Sequence, residues 1–483
     1  MKRLLLFVLV LSILLLLLFI NTVRQPSLQP APKKTTQVVI KMEEAAQRLS
    51  SLLQFPSIST QMDDTAFSAQ TQHMQQHWPT VYDTALLQTF NQHSQLLTWE
   101  GTDASLEPLL LLAHLDVVPA QQQSWQQPPF SGTIVDGEIW GRGALDDKGS
   151  ATAILEAIAA LIEKGFRPRR TVMVAFGHDE EIGGTKGAAV ISQYLKAQMI
   201  SPWMTLDEGG FVLSNAPLPV SAPVALVGIA EKGYLSVRIT ATAESGHASM
   251  PPRETAVFSL ANALNAIEAS PFKASLDGPA NQLFDWLTAE MPWPEKLLFA
   301  NRWLFSPLII AILEKSPGGN AMLRTTQAPT LLNAGIKDNV LPETASAVIN
   351  LRLHPRDSGQ QALEHLRKVI DNEAITVEPL ETLDDSSTAT SPTDHPAFKM
   401  LSQSIRNSFP DAWVAPYLMV AASDSRHYTS LTNRVYRFLP FRLDNDELKR
   451  LHGRDERISL RVYQEAIQFY ANLIILSSDT QEH

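Results

Sequence analysis

Three short apolar runs, each followed at once by acids or histidine, dominate the pattern of this chain. The first covers residues 109–119, where four leucines and an alanine lead into His114 and Asp116. The other two are 171–177 and 203–206, and each of them also runs into an acidic cluster. A continuous apolar run of this length indicates a strand that is buried on both faces, as in a parallel sheet.

Helical spacing separates these runs. It predicts a helix over 150–164, ended by Gly165, and a second helix over 186–198. Strands that alternate with helices indicate an α/β domain with a parallel sheet. Because the carboxyl ends of parallel strands meet at one edge, we expect the three acidic clusters to converge on one site.

Beyond residue 225 the pattern changes to an α+β type. Polar and apolar residues alternate over 234–242, which is typical of a half-exposed antiparallel strand. A helix is predicted over 254–268, and strands return at 330–336 and 345–353. We therefore predict that an α+β unit is inserted into the α/β domain. The predicted segments are an N-terminal anchor 1–24, a linker 25–39, a first catalytic part 40–225, an inserted unit 226–353 and a second catalytic part 354–483.

Two segments are less defined by pattern. Residues 63–98 mix helix with polar loop, and their histidines lack acids at ligand spacing, so we expect His73, His77 and His93 at the surface. Residues 281–315 are rich in tryptophan, phenylalanine and leucine. That segment suits a substrate-channel wall, a dimer surface or simply core. After 354 we predict helices over 360–372, 397–408 and 459–476, with a polar loop at 383–396.

The N-terminus carries an uncharged apolar run over residues 4–20, preceded by Lys2 and Arg3. A membrane-spanning helix needs roughly 17–25 apolar residues, and a signal-peptide core about 7–15. No small-residue cleavage motif follows, so we predict an uncleaved signal anchor, with a long cleaved signal peptide as the alternative. The positive-inside rule places the body on the non-cytoplasmic side, periplasmic, extracellular or lumenal. Residues 25–37 are proline-rich and predict a tether.

Composition narrows the class of partner. The 483 residues carry a net charge of −11, and no basic stripe stands out, which argues against nucleic-acid binding. There is no cysteine, so disulfides and thiolate metal sites are excluded. Any metal site must therefore use histidine and carboxylates.

The polar clusters at the strand ends suit such a site. His114 and Asp116 are two residues apart on a strand and point to the same face, as a metal ligand and its orienting carboxylate would. A capped strand end with a chance acid is the simpler interpretation of this pair alone. Taken together, the clusters indicate a hydrolytic metal centre that suits zinc, or less well cobalt or manganese.

Six motifs carry a resemblance to a known family. They are His114-x-Asp116, Gly141-x-Gly143-x-x-Asp146-x-Lys148-Gly149, Asp179-Glu180-Glu181-x-Gly183, Asp207-Glu208-Gly209-Gly210, Ser245-Gly246-His247 and His452-Gly453. In this order they resemble the M20 family of dinuclear zinc peptidases, in particular its carboxypeptidase S / PM20D1-like branch, which is related to aminoacylase-1. The resemblance spans about residues 40–478. It implies an exopeptidase-type catalytic α/β domain with an inserted α+β lid of the dimerisation type.

The resemblance also implies a role for each motif residue. His114 would bind one zinc ion, Asp146 would bridge two, and Glu181 and His452 would hold the second. The remaining ligand of the first ion is Asp207 or Glu208, and we leave both open. Asp116 would orient His114, and Glu180 would be the general base for the attacking water.

Three further positions resemble substrate contacts of the family. His247 corresponds to the histidine that stabilises the oxyanion, although a turn histidine is the alternative. Asn339 matches the lid asparagine that contacts substrate. Arg426 matches the position expected to grip a carboxylate, which an arginine fork suits geometrically.

These features predict a membrane-anchored dizinc hydrolase that cleaves an amide next to a free α-carboxylate. The substrate would be a short peptide, as for a carboxypeptidase, or alternatively an N-acyl amino acid. A catalytically inactive binding protein and a metallo-phosphoesterase are weaker alternatives, because every expected position is filled and the motifs are acid-rich. The large lid leaves open whether the chain forms a homodimer.

Overall fold

The computed structural model describes residues 1–34, 37–380 and 387–479. Within these ranges the α-helices are α1 (Lys2–Val23), α2 (Met42–Leu52), α3 (Asp64–His77), α4 (Pro79–Thr84), α5 (Lys148–Glu163), α6 (Ala188–Ala197), α7 (Ala256–Ala269), α8 (Gly278–Leu287), α9 (Trp293–Ala300), α10 (Arg302–Leu313), α11 (Pro317–Leu323), α12 (Gly359–Ile370), α13 (Pro396–Ser408) and α14 (Leu460–Asp479). The polar loop predicted at 383–396 lies partly outside the described residues.

The strands of the same ranges are β1 (Leu86–Phe90), β2 (Ser94–Trp99), β3 (Leu109–His114), β4 (Ile134–Val135), β5 (Glu138–Trp140), β6 (Val172–Gly177), β7 (Met204–Leu213), β8 (Val224–Glu231), β9 (Gly233–Thr242), β10 (Gly246–His247), β11 (Thr326–Ala334), β12 (Val340–Leu341), β13 (Thr344–Leu353), β14 (Ile375–Pro379), β15 (Trp413–Met419), β16 (Val435–Leu443) and β17 (Arg457–Ser459).

The larger sheet has eight strands in the order β1-β2-β6-β3-β7-β16-β8-β15. Its centre is parallel, since β3 pairs in parallel with both β6 and β7. Every residue of β3 and β6 is buried, as the apolar runs predicted. The third run differs, because β7 does not stop at residue 206 but continues to Leu213, so its acids lie within the strand.

One edge of this sheet was not predicted. Within the segment 63–98, β1 and β2 form an antiparallel hairpin that adds to β6. The surface prediction for His93 was wrong: this side chain is 3% exposed, and its Nε2 lies 3.1 Å from Asp64 Oδ1. His73 is half-buried and His77 is exposed. Burial of the hairpin against the sheet therefore overrides the polar composition of the segment.

Helices cover both faces of the larger sheet. On one face α5, α14, α13 and α2 join the main core, with apolar residues such as Ile154 and Phe469 fully buried. On the other face α6 packs through Ile191 and Leu195 against β6 and β3. This two-sided cover explains why the central strands are apolar throughout.

The smaller sheet has the order β11-β13-β9-β14, with α7 and α12 packed on one face. The alternation predicted for 234–242 is confirmed in β9, whose residues are alternately buried and partly exposed. A capping box between Ser358 and Gln361 starts α12. The sheet continues to β14, past the predicted boundary at 353, while β8 at the predicted start belongs to the larger sheet.

The aromatic segment 281–315 packs on the larger sheet rather than on the smaller one. Leu283 and Phe284 of α8 share a buried cluster with Val224 of β8 and Ala415 of β15. Phe299 of α9 stacks on Phe284 in the same cluster. The inner faces of α8–α10 are therefore core, in agreement with the third of the three interpretations.

The proline-rich linker does not behave as the free tether that its composition predicted. The Gln29 side chain donates to the backbone oxygens of Trp286 and Val414 and accepts from the Val414 N–H. Arg406 donates to the Pro30 oxygen. Gln29 thus supplies hydrogen bonds to the edge strand β15 in place of a further strand, a contact that composition does not reveal.

Candidate metal centre

The centre of the site is the Asp146 carboxylate, which lies between two imidazoles. Asp146 Oδ1 is 2.8 Å from Nε2 of His114, and its Oδ2 is 3.0 Å from Nε2 of His452. His114 ends β3, and His452 lies in the loop before β17, so residues far apart in sequence meet here. His452 Nε2 is also 3.1 Å from Glu181 Oε2.

Asp116 connects His114 to the loop that carries the glutamates. Its carboxylate oxygens accept the backbone N–H groups of Glu180 and Glu181, each at 3.1 Å. Asp116 Oδ1 also lies 3.4 Å from His114 Nδ1. Gly183 and Gly184 end this loop with φ values of +108° and +66°, a backbone region that favours glycine. Asp116 is therefore a positioning residue for both sides of the site.

Asp207 and Glu208 face different neighbours in this structure. Adjacent residues of a strand point to opposite faces. Glu208 Oε1 lies 3.7 Å from His114 Nε2, whereas Asp207 Oδ2 accepts the Ser425 N–H at 2.6 Å. The arrangement thus favours Glu208 as the group that faces the centre.

Two groups that sequence reasoning did not assign also belong to the site. Asp147 lies within ligand distance of His114 and Glu208, and its Oδ1 is buried without a partner among the described residues. Glu456 is fully buried, and its Oε1 accepts the N–H groups of Gly143, Leu145 and Asp146. Its position four residues after His452 was the available signal, because Glu456 ties the His452 loop to the Asp146 loop.

Several carboxyl groups are buried together at this site. Burial raises the pKa of Glu180 and of Glu208 well above their ordinary values, and neighbouring carboxylates add to the rise. Burial also raises the pKa of Asp207 to about 6. Hydrogen bonds from Asp146 and Glu181 raise the pKa of His452 to about 10. The cluster therefore favours positive charge at its centre.

The donor set fits divalent metal ions. Two groups place their ligand atoms within 4.8 Å of one another, His114–Asp146–Glu181 and His114–Asp147–Glu208. Glu181 Oε1 and Asp147 Oδ1 are both buried, and neither has a hydrogen-bond partner among the described residues. Unpaired buried carboxylate oxygens cost free energy unless a cation or donor meets them. Imidazole and carboxylate ligands suit zinc, cobalt or manganese.

A cleft of about 910 Å³ opens beside the centre, between the larger and the smaller sheet. Glu180, Glu181 and His452 line one side. Arg426 lines it too, and its Nη2 donates to the Gly183 oxygen at 2.9 Å. Arg352 of β13 faces the cleft from the smaller sheet, with its guanidinium 4.9 Å from the Tyr234 ring. Sequence reasoning missed Arg352, because a single arginine inside a strand carries no motif.

His247 and Asn339 lie together but not at the centre. His247 pairs with Val340 across β10 and β12, and Ala248 donates to the Asn339 oxygen at 3.1 Å. Both side chains are exposed, and the His247 ring accepts the Ser249 N–H. Their predicted contact with substrate stays a prediction.

Comparison with known proteins decides the family. Residues 110–476 match Peptidase family M20/M25/M40. The chain belongs to this peptidase family. It is 39% identical over 476 residues to a probable carboxypeptidase S-like 2 of Dictyostelium discoideum, covering 95% of this chain and 91% of that protein. It is 36% identical over 450 residues to the human N-fatty-acyl-amino acid synthase/hydrolase PM20D1, covering 92% of this chain and 89% of that protein.

Solved M20 structures share the fold. An M20 metallo-carboxypeptidase of Sulfolobus solfataricus has a TM-score of 0.63 at 18% identity and covers 90% of this chain and 100% of its own. A dinuclear metal-binding M20 peptidase of Bacillus subtilis has a TM-score of 0.57 at 13% identity and covers 91% and 99%. The predicted α/β fold of an M20 hydrolase is confirmed. The individual site residues and the identity of the metal stay predictions.

Proposed function

We propose that this M20 hydrolase holds two divalent metal ions, zinc by preference, and cleaves an amide bond next to a free α-carboxylate. The observation that carries the proposal is the Asp146 carboxylate, which presents one oxygen to each of two imidazoles. A carboxylate in this position is suited to bridge two cations. A site for one metal ion would need only one of the two Asp146 oxygens to face an imidazole.

The proposed ligand sets follow the contacts. His114 and Glu208 would hold one ion, Glu181 and His452 the other, and Asp146 would belong to both. Asp207 is the weaker candidate, because its carboxylate already accepts the Ser425 N–H. The ions would supply Lewis acidity and a lower pKa for a shared water.

The proton would be handled by Glu180. Its side chain is partly exposed and lines the cleft, and burial among acids raises its pKa well above the ordinary value. A carboxylate with a raised pKa accepts a proton from water and returns it to the leaving nitrogen more readily than an ordinary one. Asp116 fixes the backbone of Glu180 and so fixes where that carboxylate stands.

The substrate carboxylate would meet Arg426 and Arg352. Both line the cleft beside Glu180, on opposite sides. Arginine forks bind carboxylates by paired, charge-assisted hydrogen bonds. A free α-carboxylate is common to short peptides and to N-acyl amino acids, so the same cleft suits both. The N-acyl alternative is supported by the similarity to PM20D1 and the peptide alternative by the carboxypeptidase S-like relative.

Hydrolysis of matched substrates by the full-length chain tests this proposal. An N-blocked hydrophobic dipeptide and a long-chain N-acyl amino acid are each supplied with a free or an amidated carboxylate, with zinc present and with zinc removed by chelation. We expect kcat/KM to fall about 10- to 100-fold when the carboxylate is amidated, the loss expected for a hydrogen-bonded charge. The higher kcat/KM of the two free acids assigns the substrate class.

Three results would contradict the proposal. Equal rates on free and amidated substrates would remove the carboxylate grip, and full activity after chelation would remove the metals. No hydrolysis of any substrate by a chain that holds two zinc ions would favour the binding-protein alternative.

We also propose that α1 anchors the body to a membrane from the non-cytoplasmic side. It is 22 residues long, highly apolar and almost wholly exposed. Its last turns are held by the body, since Asn301 donates to the Leu18 oxygen and to Thr22 Oγ1, each at 3.2 Å. Cleavage after α1 would strip these partners from Asn301, so the contact supports an uncleaved anchor. Mass spectrometry of the membrane-extracted chain checks this.

Homodimerisation stays a proposal as well. The edge strand β11 exposes Leu331 and Leu332, at 59% and 62%. An exposed apolar edge strand is a surface for pairing with another chain. Light scattering of the detergent-solubilised chain distinguishes monomer from dimer.

A further inference from the structure

Helix α10 is apolar on the side that faces away from the protein. Its inner side packs on the α8–α9 cluster through the buried Ile309 and the partly buried Phe305 and Leu313. Its outer side exposes Trp303, Leu304, Leu308 and Ile312 at 61%, 39%, 52% and 50%. We call these four residues the α10 face. No charged residue occurs from 303 to 313.

An ordinary surface helix of this protein looks different. Helix α12 buries Leu363 and Leu366 and exposes Gln360, Glu364 and Lys368. A helix that is apolar all round is normally covered on every side. The α10 face therefore requires a partner that is itself apolar.

The position of α10 identifies that partner. The helix starts directly after Asn301, whose side chain is hydrogen-bonded to the last turns of α1 at Leu18 and Thr22. Trp293, at the start of α9, lies against Phe19 of α1 with ring centroids 5.9 Å apart. The start of the α10 face, where Trp303 Nε1 lies 3.4 Å from Asn301 Oδ1, is thus next to the last turns of α1.

The contact also relates the depth of the start of α10 to that of α1. If α1 spans a bilayer, Leu18 and Thr22 lie where the span leaves the hydrocarbon on the side of the body. Helix α10 departs from that level. Trp293 and Trp303 are 50% and 61% exposed there, and tryptophan is enriched at the boundary between headgroups and acyl chains. Exposed tryptophans beside aliphatic residues are typical of a helix that lies in this boundary.

We propose that the α10 face inserts into the interfacial layer of the same bilayer that α1 spans, so that the body is held on the membrane at two points. This rests on the proposed role of α1 as the anchor. A single helix would leave the body free to rotate and tilt, whereas two contacts fix which side of the body faces the lipid.

The absence of natural cysteine makes a direct test practical. Leu308→Cys and Ile312→Cys are labelled separately with an environment-sensitive fluorophore in the full-length chain, reconstituted in lipid nanodiscs. Leu9→Cys within α1 reports on the anchor. Met199→Cys, at a residue that is 92% exposed after α6 on the body, is the matched control. Quenching is measured with nitroxide lipids, labelled near the headgroup or deep in the acyl chain, and with aqueous iodide.

The proposal predicts that the shallow nitroxide lipid quenches the probes at 308 and 312 at least threefold more than the probe at 199. It also predicts that iodide quenches them less, and that the deep nitroxide acts most on the probe at 9. Iodide quenching at 308 and 312 equal to that at 199 would overturn it. Shielding from iodide without lipid quenching, lost on dilution, would assign the face to a second copy. An unquenched probe at 9 would instead refute the anchor.

Discussion

The two sides of the cleft differ in how their polar side chains are held. On the side of the larger sheet, His114, Asp116 and Glu456 are buried and hydrogen-bonded to neighbouring loops. On the smaller sheet, His247 and Asn339 are exposed, and their described contacts stay within that unit. The difference indicates that the side with the candidate metal ligands is preorganised by its own hydrogen bonds, whereas a contact of His247 or Asn339 with substrate would require these residues to come closer to the centre.

Loss of the proton carrier is expected to have the largest effect on the organised side. Glu180→Ala should lower kcat by about 10²- to 10⁴-fold, because it removes general acid–base catalysis, while metal content and melting temperature stay unchanged. Glu163→Ala, at an exposed glutamate that ends α5, is the control. Loss of metal in the Glu180 variant, or near-normal turnover, would refute the assigned role.

The exposed side is tested by His247→Ala and, separately, by Asn339→Ala. If these residues reach the reacting carbonyl in a closed form, kcat falls about 10²-fold, as for loss of one oxyanion donor, with unchanged metal content. The control is His77→Ala, at an exposed histidine on α3. An unchanged kcat in both variants would mean that neither His247 nor Asn339 acts as an oxyanion donor. The catalytic groups would then all lie on the side of the larger sheet.

Arg352 and Arg426 face the cleft from opposite sides, Arg352 from the smaller sheet and Arg426 from the side of the larger sheet. Arg352→Ala and Arg426→Ala are each expected to lower kcat/KM about 10- to 100-fold on a substrate with a free carboxylate. On the amidated substrate the loss should be less than about threefold, since no charged hydrogen bond remains to be lost. Arg461→Ala, at an arginine that is 78% exposed on α14, serves as control. Equal losses on both substrates would show that the arginine has a structural role only.

The smallest effect concerns stability in acid. Burial, together with Arg356, lowers the pKa of His354 to about 4. In the unfolded chain this histidine becomes protonated below about pH 6.5, whereas in the folded chain His354 stays neutral until about pH 4. The free energy of unfolding therefore falls between pH 7 and pH 5, by about 1–2 kcal/mol from this group. His354→Asn should lessen the fall in melting temperature between pH 7 and pH 5, whereas His77→Asn should not. An equal fall in both variants would exclude this histidine as the cause.

Much of the larger sheet followed from sequence, for a physical reason. Apolar runs that end in acids place His114, Glu181 and Glu208 at one edge, because parallel strands end together. The choice between Asp207 and Glu208 did not follow, since it depends on which face of β7 turns to the centre. The edge hairpin and the buried His93 were missed, because tertiary burial overrode a polar composition.

Contacts that depend on one side chain meeting distant backbone were also beyond the sequence. In the sequence Gln29 does not differ from other polar linker residues, and only the fold brings it to the backbone of Val414. Arg352 likewise looks like an ordinary strand residue in the sequence, and only the fold places it at the cleft. The smaller sheet extends past the predicted boundary at residue 353, because β14 joins it by pairing with β9, a long-range contact that the sequence pattern does not show.

Whether two metal ions share Asp146 is measured by metal analysis of the full-length chain and of its Asp146→Asn variant. We expect two ions per chain in the natural protein, fewer than one in the variant, and hydrolysis lost together with the metal. Asp136→Asn, in the exposed turn between β4 and β5, should retain both ions. One ion per chain in the natural protein, or two in Asp146→Asn, would refute a shared dinuclear site.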